Sequence, residues 1–426
     1  MSITSRARAR LVASVAALLP CAAASACDQD GNALALADGG GDDAPTDALA
    51  DGAIPCTSTG ISKGPWSLHA DSTSILVRWE ACMPGTPAGL SYAPESGGAP
   101  VHAQAVETPF VVTTTNMVPL NQLPDYAGTW YMHEASLTGL QPSTCYQYGL
   151  DADPTISARF CTARASGDHL RFLAIGDTNA SLGPNTANVL AHTVPKQPDL
   201  TLHGGDIEYY ASFVETWASW FPVMAPLLRV APLYTAVGNH DVGSVSGEPD
   251  LKYMQYTERF FGGAGFDSTD AYYRFESGGV WFFALDTQQA LDLSSAQGAW
   301  LVKELGDAAG RPGYRFSVVY MHKPFLTCGD TGDDTQDLAM LEPYFDMYKV
   351  PLVVQAHMHG YERFETPKRT FVTAAGGGGL IGNPNANTSR SYCNERVASG
   401  GFFSATVFDV TTGQLAGTTI DDQGVV

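Results

Sequence analysis

From Leu170 onward the chain repeats a pattern that few folds can accept: an apolar run of strand type that stops at a polar cluster. The runs are LRFLAIGD, DLTLHGGD, PLYTAVGNHD, RFSVVYMH and VPLVVQAH. Between them lie helix-like stretches, TANVLAHTV, FVETWASWFPVMAPLL and QGAWLVKEL, together with a strand pair, YYRFES and VWFFALDT. FFSATVFDVTTGQLAGTTID reads as an antiparallel hairpin. Continuous apolar runs alternating with helices predict strands buried on both faces, hence a layered α/β domain of mixed sheets. In such sheets chemistry gathers beyond the carboxyl ends of the strands. The polar endings fall there: Asp177, Asp206, Asn239 with His240, His322 and His357.

The last of these runs continues as VPLVVQAHMHGYERF, with His357 and His359 in His-x-His spacing. A strand's period of two puts both imidazoles on one face. One such histidine could be a hydrogen-bonded core residue; two in that register, at a strand's end, are candidate metal ligands. The competing reading is a polar loop that holds two histidines by chance.

Residues 56–165 have a different grammar. SILVRWEA, WYMHEASLTGL, CYQYGL and ISARFCT are short strands with turn residues between them and no helical period, which predicts a small β-sandwich. Before it, residues 1–26 combine Arg6, Arg8 and Arg10 with the apolar LVASVAALLP and an ASA cleavage site, a signal peptide too short to span a bilayer. Cys27 directly after the cut makes the segment a candidate lipoprotein signal, although Ala24 stands where leucine is usual. Cys21 is a weaker candidate because Pro20 precedes it, and ordinary secretion with Cys27 free is the alternative. Residues 27–55 are rich in Asp, Gly and Ala and contain no base, so they predict a disordered acidic tether. The expected location is outside the cytoplasm, in a bacterial cell envelope with the lipid anchor on Cys27 as the membrane contact, or secreted.

A length of 426 residues suits two folded domains, here 56–165 and 166–426, and a hydrophobic content of 44% supports real cores. The net charge of −21 argues against a nucleic-acid partner. Six of the eight cysteines lie beyond the tether, an even number that in an exported chain favours disulfides; no C-x-x-C spacing suggests structural zinc. Cys328 and Cys393 are candidates for tying two loops of the second domain, with connectivity otherwise open. Nothing in the sequence fixes an oligomeric state.

Taken in order, GDT, GDIEY, GNHD, VYMH and AHMHGYER resemble the motifs of the calcineurin-like metallophosphoesterases, and among them the purple acid phosphatases. That subgroup's pattern is GD-x-G, GD-x-x-Y, GNH-[DE], V-x-x-H and GH-x-H. The tyrosine of GDIEY is the most specific match. HEASLTGLQPSTCYQYGL resembles the last strands of a fibronectin type III-like module, which plant-type members also carry ahead of the catalytic domain. The resemblance implies an N-terminal β-sandwich followed by a four-layer α/β/β/α metallophosphoesterase domain. It departs at Asn179 and Ala356, which stand where the family has glycine.

Carried over by position, Asp177, Asp206, Tyr209 and His359 would hold one metal, and Asp206, Asn239, His322 and His357 the other. Tyr210 is the alternative phenol if the register slips. Carboxylates and a phenolate suit Fe(III), while imidazoles and an amide suit a divalent Zn, Fe or Mn. The implied reaction is hydrolysis of a small phosphate monoester, with hydroxide attacking phosphorus. Asn239 and His240 would contact the substrate, and His240, adjacent to a ligand, is the candidate general acid; its competing role is to orient Asp241 or phosphate. Plant-type relatives have further histidines after V-x-x-H, whereas KPFLTCGDTGDDTQD has none, and its acidity is expected to disfavour highly charged phosphates. His203 and His192 read as structural. The glycine run AAGGGGLIG, residues 374–382, is either a bare-backbone approach to substrate or a flexible turn. The rival functions are a phosphodiesterase or phospholipase-like hydrolase on the same scaffold, and a non-catalytic surface lipoprotein.

Overall fold

The computed structural model describes residues 57–112, 128–180, 182–207, 209, 217–242, 259–262 and 272–425. The signal segment with Cys21, the tether with Cys27, and Tyr210 lie outside the described residues.

The first eight strands are β1 (Ile61–Leu68), β2 (Ser74–Ala81), β3 (Gly89–Pro94), β4 (Val101–Gln104), β5 (Val106–Val112), β6 (Gly128–Thr138), β7 (Cys145–Leu150) and β8 (Asp153–Cys161). They form two antiparallel sheets, β1-β2-β6-β5 and β4-β3-β7-β8. Alternate burial along β7 and β8 is what a sandwich strand with one wet face shows. Its core holds Trp79, Leu90, Leu137, Tyr146 and Phe160. A disulfide joins the neighbours Cys145 and Cys161 on β7 and β8.

The second half follows as β9 (Leu170–Ile175), α1 (Asn185–Thr193), β10 (Leu200–His203), α2 (Trp217–Leu228), β11 (Leu233–Thr235) and the short α3 (Asn239–Val242). Then come β12 (Tyr273–Ser277), β13 (Val280–Ala284), α4 (Ala296–Ala309), β14 (Phe316–Tyr320), α5 (Thr335–Met347) and β15 (Leu352–Gln355). The remaining strands are β16 (Tyr361–Glu365), β17 (Thr370–Ala374), β18 (Arg396–Gly400), β19 (Ser404–Val410) and β20 (Leu415–Asp421). Two mixed sheets result, β11-β10-β9-β19-β20 and β12-β13-β14-β15-β17-β16-β18. They face each other across Phe172, Phe282, Phe408, Tyr320 and Val354. α1 and α2 cover the outer face of the first sheet through Val189, Trp220 and Leu227; α4 and α5 cover the second through Leu301, Leu305, Leu341 and Phe345. This is the four-layer α/β/β/α arrangement behind an N-terminal sandwich.

β14 and β15 are buried at every residue, which explains why FSVVY and LVVQ read as unbroken apolar runs. α5 is a helix within a stretch that read as an acidic loop in its first residues. Asp334 caps it, accepting from Asp337 N at 3.1 Å, but Pro343 inside the helix masks the signal.

The sandwich and the four layers share a buried seam. Trp66 Nε1 and Arg78 Nη1 both donate to the carbonyl of Phe260, at 3.1 and 3.0 Å. Beneath them the Glu80 carboxylate receives Lys63 Nζ at 2.5 Å and Arg259 Nε at 2.8 Å, all three side chains fully buried.

Candidate metal centre

Parallel pairing sets the strand ends level. Ile175, His203 and Thr235 are register partners across β9, β10 and β11, and Tyr320 pairs with Val354 across β14 and β15. The loops leaving these ends therefore open at one rim, fed by both sheets. Asp177 leaves β9, Asp206 leaves β10, Asn239 and His240 begin α3 after β11, His322 leaves β14, and His357 and His359 leave β15.

The structure brings all of them together. Ligand atoms of Asp177, Asp206 and His359 lie within 4.8 Å of one another, as do those of Asp206, His322 and His357. Asp206 is common to both groups. Tyr209 joins the first, its hydroxyl 2.8 Å from His359 Nε2 and 3.4 Å from Asp177 Oδ1. Asn239 joins the second, with Oδ1 3.0 Å from His322 Nε2. His240 stands beside them: its N–H donates to Asp206 Oδ1 at 2.9 Å, and its ring lies 4.5 Å from that of Tyr209, a quarter exposed at 25%.

Three of these residues sit in left-handed backbone, Asp177 at φ 57°, Asp206 at 49° and His357 at 69°. Each such residue costs on the order of 1 kcal/mol or more, and such strain collects where geometry serves function. Asp241 supplies part of the compensation. Its Oδ2 accepts from Asp206 N and Gly238 N, both at 2.8 Å, and its Oδ1 from Ile207 N at 3.0 Å, clamping the GDIEY loop to the GNHD turn.

The imidazoles are aimed by backbone carbonyls. His322 Nδ1 faces Gly204 O at 2.9 Å and His359 Nδ1 faces Leu380 O at 2.6 Å. Each Nδ1–H therefore donates outward and turns Nε2 toward the carboxylates, the arrangement of a metal-binding histidine. The pocket is anionic. Burial opposes the charge of His322, yet Asp206, Asp177 and Asp241 draw its imidazole up to about 9. Burial likewise opposes the charge of Asp206, but His322 and His240 hold it well below the usual carboxylate range. Buried carboxylates, inward-facing imidazole nitrogens, a phenol and an amide oxygen make a donor set that fits hard and borderline cations.

Both departures from the family's glycines are accommodated. A Cβ on Gly204 would lie 2.8 Å from Cβ of Ala356, and one on Gly176 3.0 Å, so the glycines of the two GD turns leave the notch that Ala356 fills. Asn179 is absent from the positive-φ positions and needs no glycine. The glycine run is tied down rather than a free turn. Gly377 N donates to Gly176 O at 3.0 Å and Gly379 N to Asp177 O at 2.8 Å, extending the backbone pairing of the first motif. A Cβ on Gly379 would lie 2.8 Å from the Tyr209 hydroxyl. Cys328 and Cys393 form a disulfide.

His203 is buried in a structural network. Gly205 N donates to its Nδ1 at 3.2 Å, so Nε2–H donates to Thr178 Oγ1 at 3.0 Å, and Thr178 passes its own proton to Ile207 O at 2.7 Å. Burial, partly offset by Asp177 and Asp206, lowers its pKa to about 4, which keeps it neutral. His192 is exposed on α1. Sequence reasoning gave Asp241 no role of its own, although GNHD contains it; the carbonyls of Gly204 and Leu380 leave no sequence signal at all.

Residues 170–361 match the model of the Calcineurin-like phosphoesterase family. Among curated relatives, Purple acid phosphatase 15 of Arabidopsis thaliana is 27% identical over 344 residues, 70% of this chain and 63% of its own. Purple acid phosphatase 23 of the same plant is 26% identical over 288 residues, 58% of this chain and 61% of its own. The chain thus spans about six-tenths of the length of these relatives. Among solved structures, a purple acid phosphatase from yellow lupin seeds (Lupinus luteus) superposes with a TM-score of 0.68 at 16% identity, covering 85% of this chain and 72% of its own. PhoD superposes with a TM-score of 0.61 at 13% identity, covering 85% of this chain and 86% of its own. At such identities the likeness to the two structures is one of fold.

Proposed function

Since this chain carries a calcineurin-like phosphoesterase domain and has purple acid phosphatases among its homologues, we propose that it is a binuclear metal-dependent hydrolase of phosphate monoesters, acid phosphatase in type. The observation that carries this reading is the pair of donor groups sharing Asp206. Asp177, Asp206, Tyr209 and His359 would hold Fe(III), and Asp206, Asn239, His322 and His357 a divalent Zn, Fe or Mn. Such ions, when bound, polarise a phosphoryl group and lower the pKa of water.

The chain's own residues do the rest. Asp241 fixes the backbone of Asp206, and the carbonyls of Gly204 and Leu380 hold His322 and His359 in one tautomer and one orientation. Asn239 and His240 are the residues at hand for a bound ester. His240 is tied at its backbone to Asp206 while its ring is in part open to solvent, so it can meet the ester's alcohol oxygen. As an imidazolium it gives a proton to that oxygen while the oxygen's bond to phosphorus breaks, and the alcohol leaves neutral.

His240→Ala is therefore expected to lower kcat on an alkyl ester such as glycerol phosphate by about 10²–10⁴-fold, and by less on p-nitrophenyl phosphate, whose leaving group needs no proton, with metal content unchanged. Loss of metal alongside activity would make His240 a structural residue instead. A phosphodiesterase or phospholipase-like activity is the second reading, favoured by the absence of histidine from KPFLTCGDTGDDTQD; faster turnover of bis(p-nitrophenyl) phosphate than of the monoester would select it. Export from the cytoplasm accords with the disulfides Cys145–Cys161 and Cys328–Cys393. Anchoring through Cys27 is a separate proposal, for which retention of a Cys27→Ser variant in the membrane fraction is the contrary result.

A further inference from the structure

HGYER, the stretch after the histidine pair, contains a glutamate that the chemistry above does not use. Glu362 is fully buried on β16. Its Oε2 accepts from Thr327 Oγ1 at 2.6 Å, and its Oε1 from Cys328 N at 2.9 Å and Arg396 Nη1 at 2.8 Å. All three partners belong to segments that flank His359. Arg390 Nη1 and Tyr392 hydroxyl donate to Thr327 O at 2.6 and 2.9 Å, Asn387 Nδ2 donates to Gly329 O at 2.6 Å, and the Cys328–Cys393 disulfide closes the same loop. The segment 327–330 is thus tied at almost every residue. It is also close to the site: a Cβ on Gly329 would lie 2.3 Å from Cγ of Met358, the residue between His357 and His359.

The acidic residues of this loop are not equivalent. Asp333 is paired with Arg390 at 3.4 Å and receives the Tyr392 hydroxyl. Asp334 caps α5. Asp330 accepts from the Asn383 backbone N–H at 2.6 Å, and among the described residues no cation pairs with it. The nearby guanidiniums of Arg390 and Arg396 are committed to Asp333 and Glu362. Asp330 is exposed and packs on Gly382, where a Cβ would lie 2.8 Å from its Oδ1; Gly382 N in turn donates to His359 O at 2.9 Å. One exposed carboxylate, unpaired with any cation among the described residues, therefore packs on Gly382, the residue whose N–H meets the His359 carbonyl; Leu380, two residues earlier, is 43% exposed and its own carbonyl faces His359 Nδ1.

We propose that Asp330, fixed in place by the Glu362 network, is a specificity-determining residue that turns the site toward phosphate esters whose alcohol portion brings no further negative charge. This rests on the phosphoesterase reading above and names its substrate class. Cations held by the two donor groups would draw in the phosphoryl group; a second anionic group on the alcohol would meet Asp330 and lose affinity, while an apolar or neutral group would meet Leu380 without that repulsion. Glu362 is a positioning residue here, since its carboxylate holds Thr327 and Cys328 of the loop that carries Asp330 and ties them to Arg396 on β18.

The test compares phenyl phosphate with 4-carboxyphenyl phosphate, which differ by one carboxylate, on the metal-loaded full chain. Wild type is expected to favour phenyl phosphate in kcat/KM. Asp330→Asn should narrow that preference by roughly three- to tenfold, through KM for the charged ester, with metal content and phenyl phosphate turnover unchanged. High salt should shrink the wild-type preference, and Asp330→Glu should keep it. An unchanged preference in Asp330→Asn overturns the assignment, as does loss of metal from that variant, which would make Asp330 structural. Wild type inactive on both esters sinks the phosphoesterase reading itself, an outcome separable from an active enzyme whose preference ignores Asp330.

Discussion

Asp206→Asn should reduce turnover of p-nitrophenyl phosphate on the order of 10³-fold and deplete both metals together. Asp206 is the one side chain common to the two donor groups, so its charge serves both positions. A change at Tyr209 or His357 would touch one position only. The fold should survive, because asparagine tolerates the left-handed backbone at φ 49° and can still accept the His240 N–H. Asparagine also lifts the repulsion between two buried carboxylates: burial first, and then the charge of Asp206, push Asp241 up to about 7. Metal analysis and circular dichroism on the same preparation separate loss of the centre from loss of the fold. Depletion of one metal with the other retained would mean that Asp206 does not bridge.

Glu80→Ala should destabilise the protein by about 3–5 kcal/mol, read from the denaturant midpoint. The substitution strips Lys63 and Arg259 of the carboxylate they share in a seam where all three side chains are fully buried. Burial opposes the charge of Glu80, but Arg259 and Lys63 outweigh it and hold its pKa below the ordinary 4.5. A carboxyl depressed in the folded state stabilises above its unfolded pKa and loses that contribution as pH falls through the folded value. Wild type should therefore lose stability below about pH 4.5, and Glu80→Ala should show a flatter acid limb. An equal slope in both would show that the seam does not depend on this charge.

How much of this was legible in the sequence depended on range. A strand's period and its abrupt polar end are local, so Asp177, Asp206, Asn239, His322, His357 and His359 could be singled out as strand-end residues from a dozen neighbours each. The sandwich was legible for the same reason, since Tyr146 and Tyr148 point inward while Gln147 points out. What stayed hidden is long-range or carried by backbone. Glu362 reads only as part of HGYER because its partners Thr327 and Arg396 are 35 and 34 residues away. The Glu80 seam joins residues 179 apart, and α5 was obscured by Pro343. Ala356 looked like a departure until the bare Cα atoms of Gly176 and Gly204 appeared beside it.

Elemental analysis of purified protein, taken with its visible spectrum, tests the binuclear centre most directly. A pair of ions per chain is expected, iron among them, with a visible absorption band that Tyr209→Phe removes. A folded chain that retains a single ion or none after exposure to iron and zinc would contradict it.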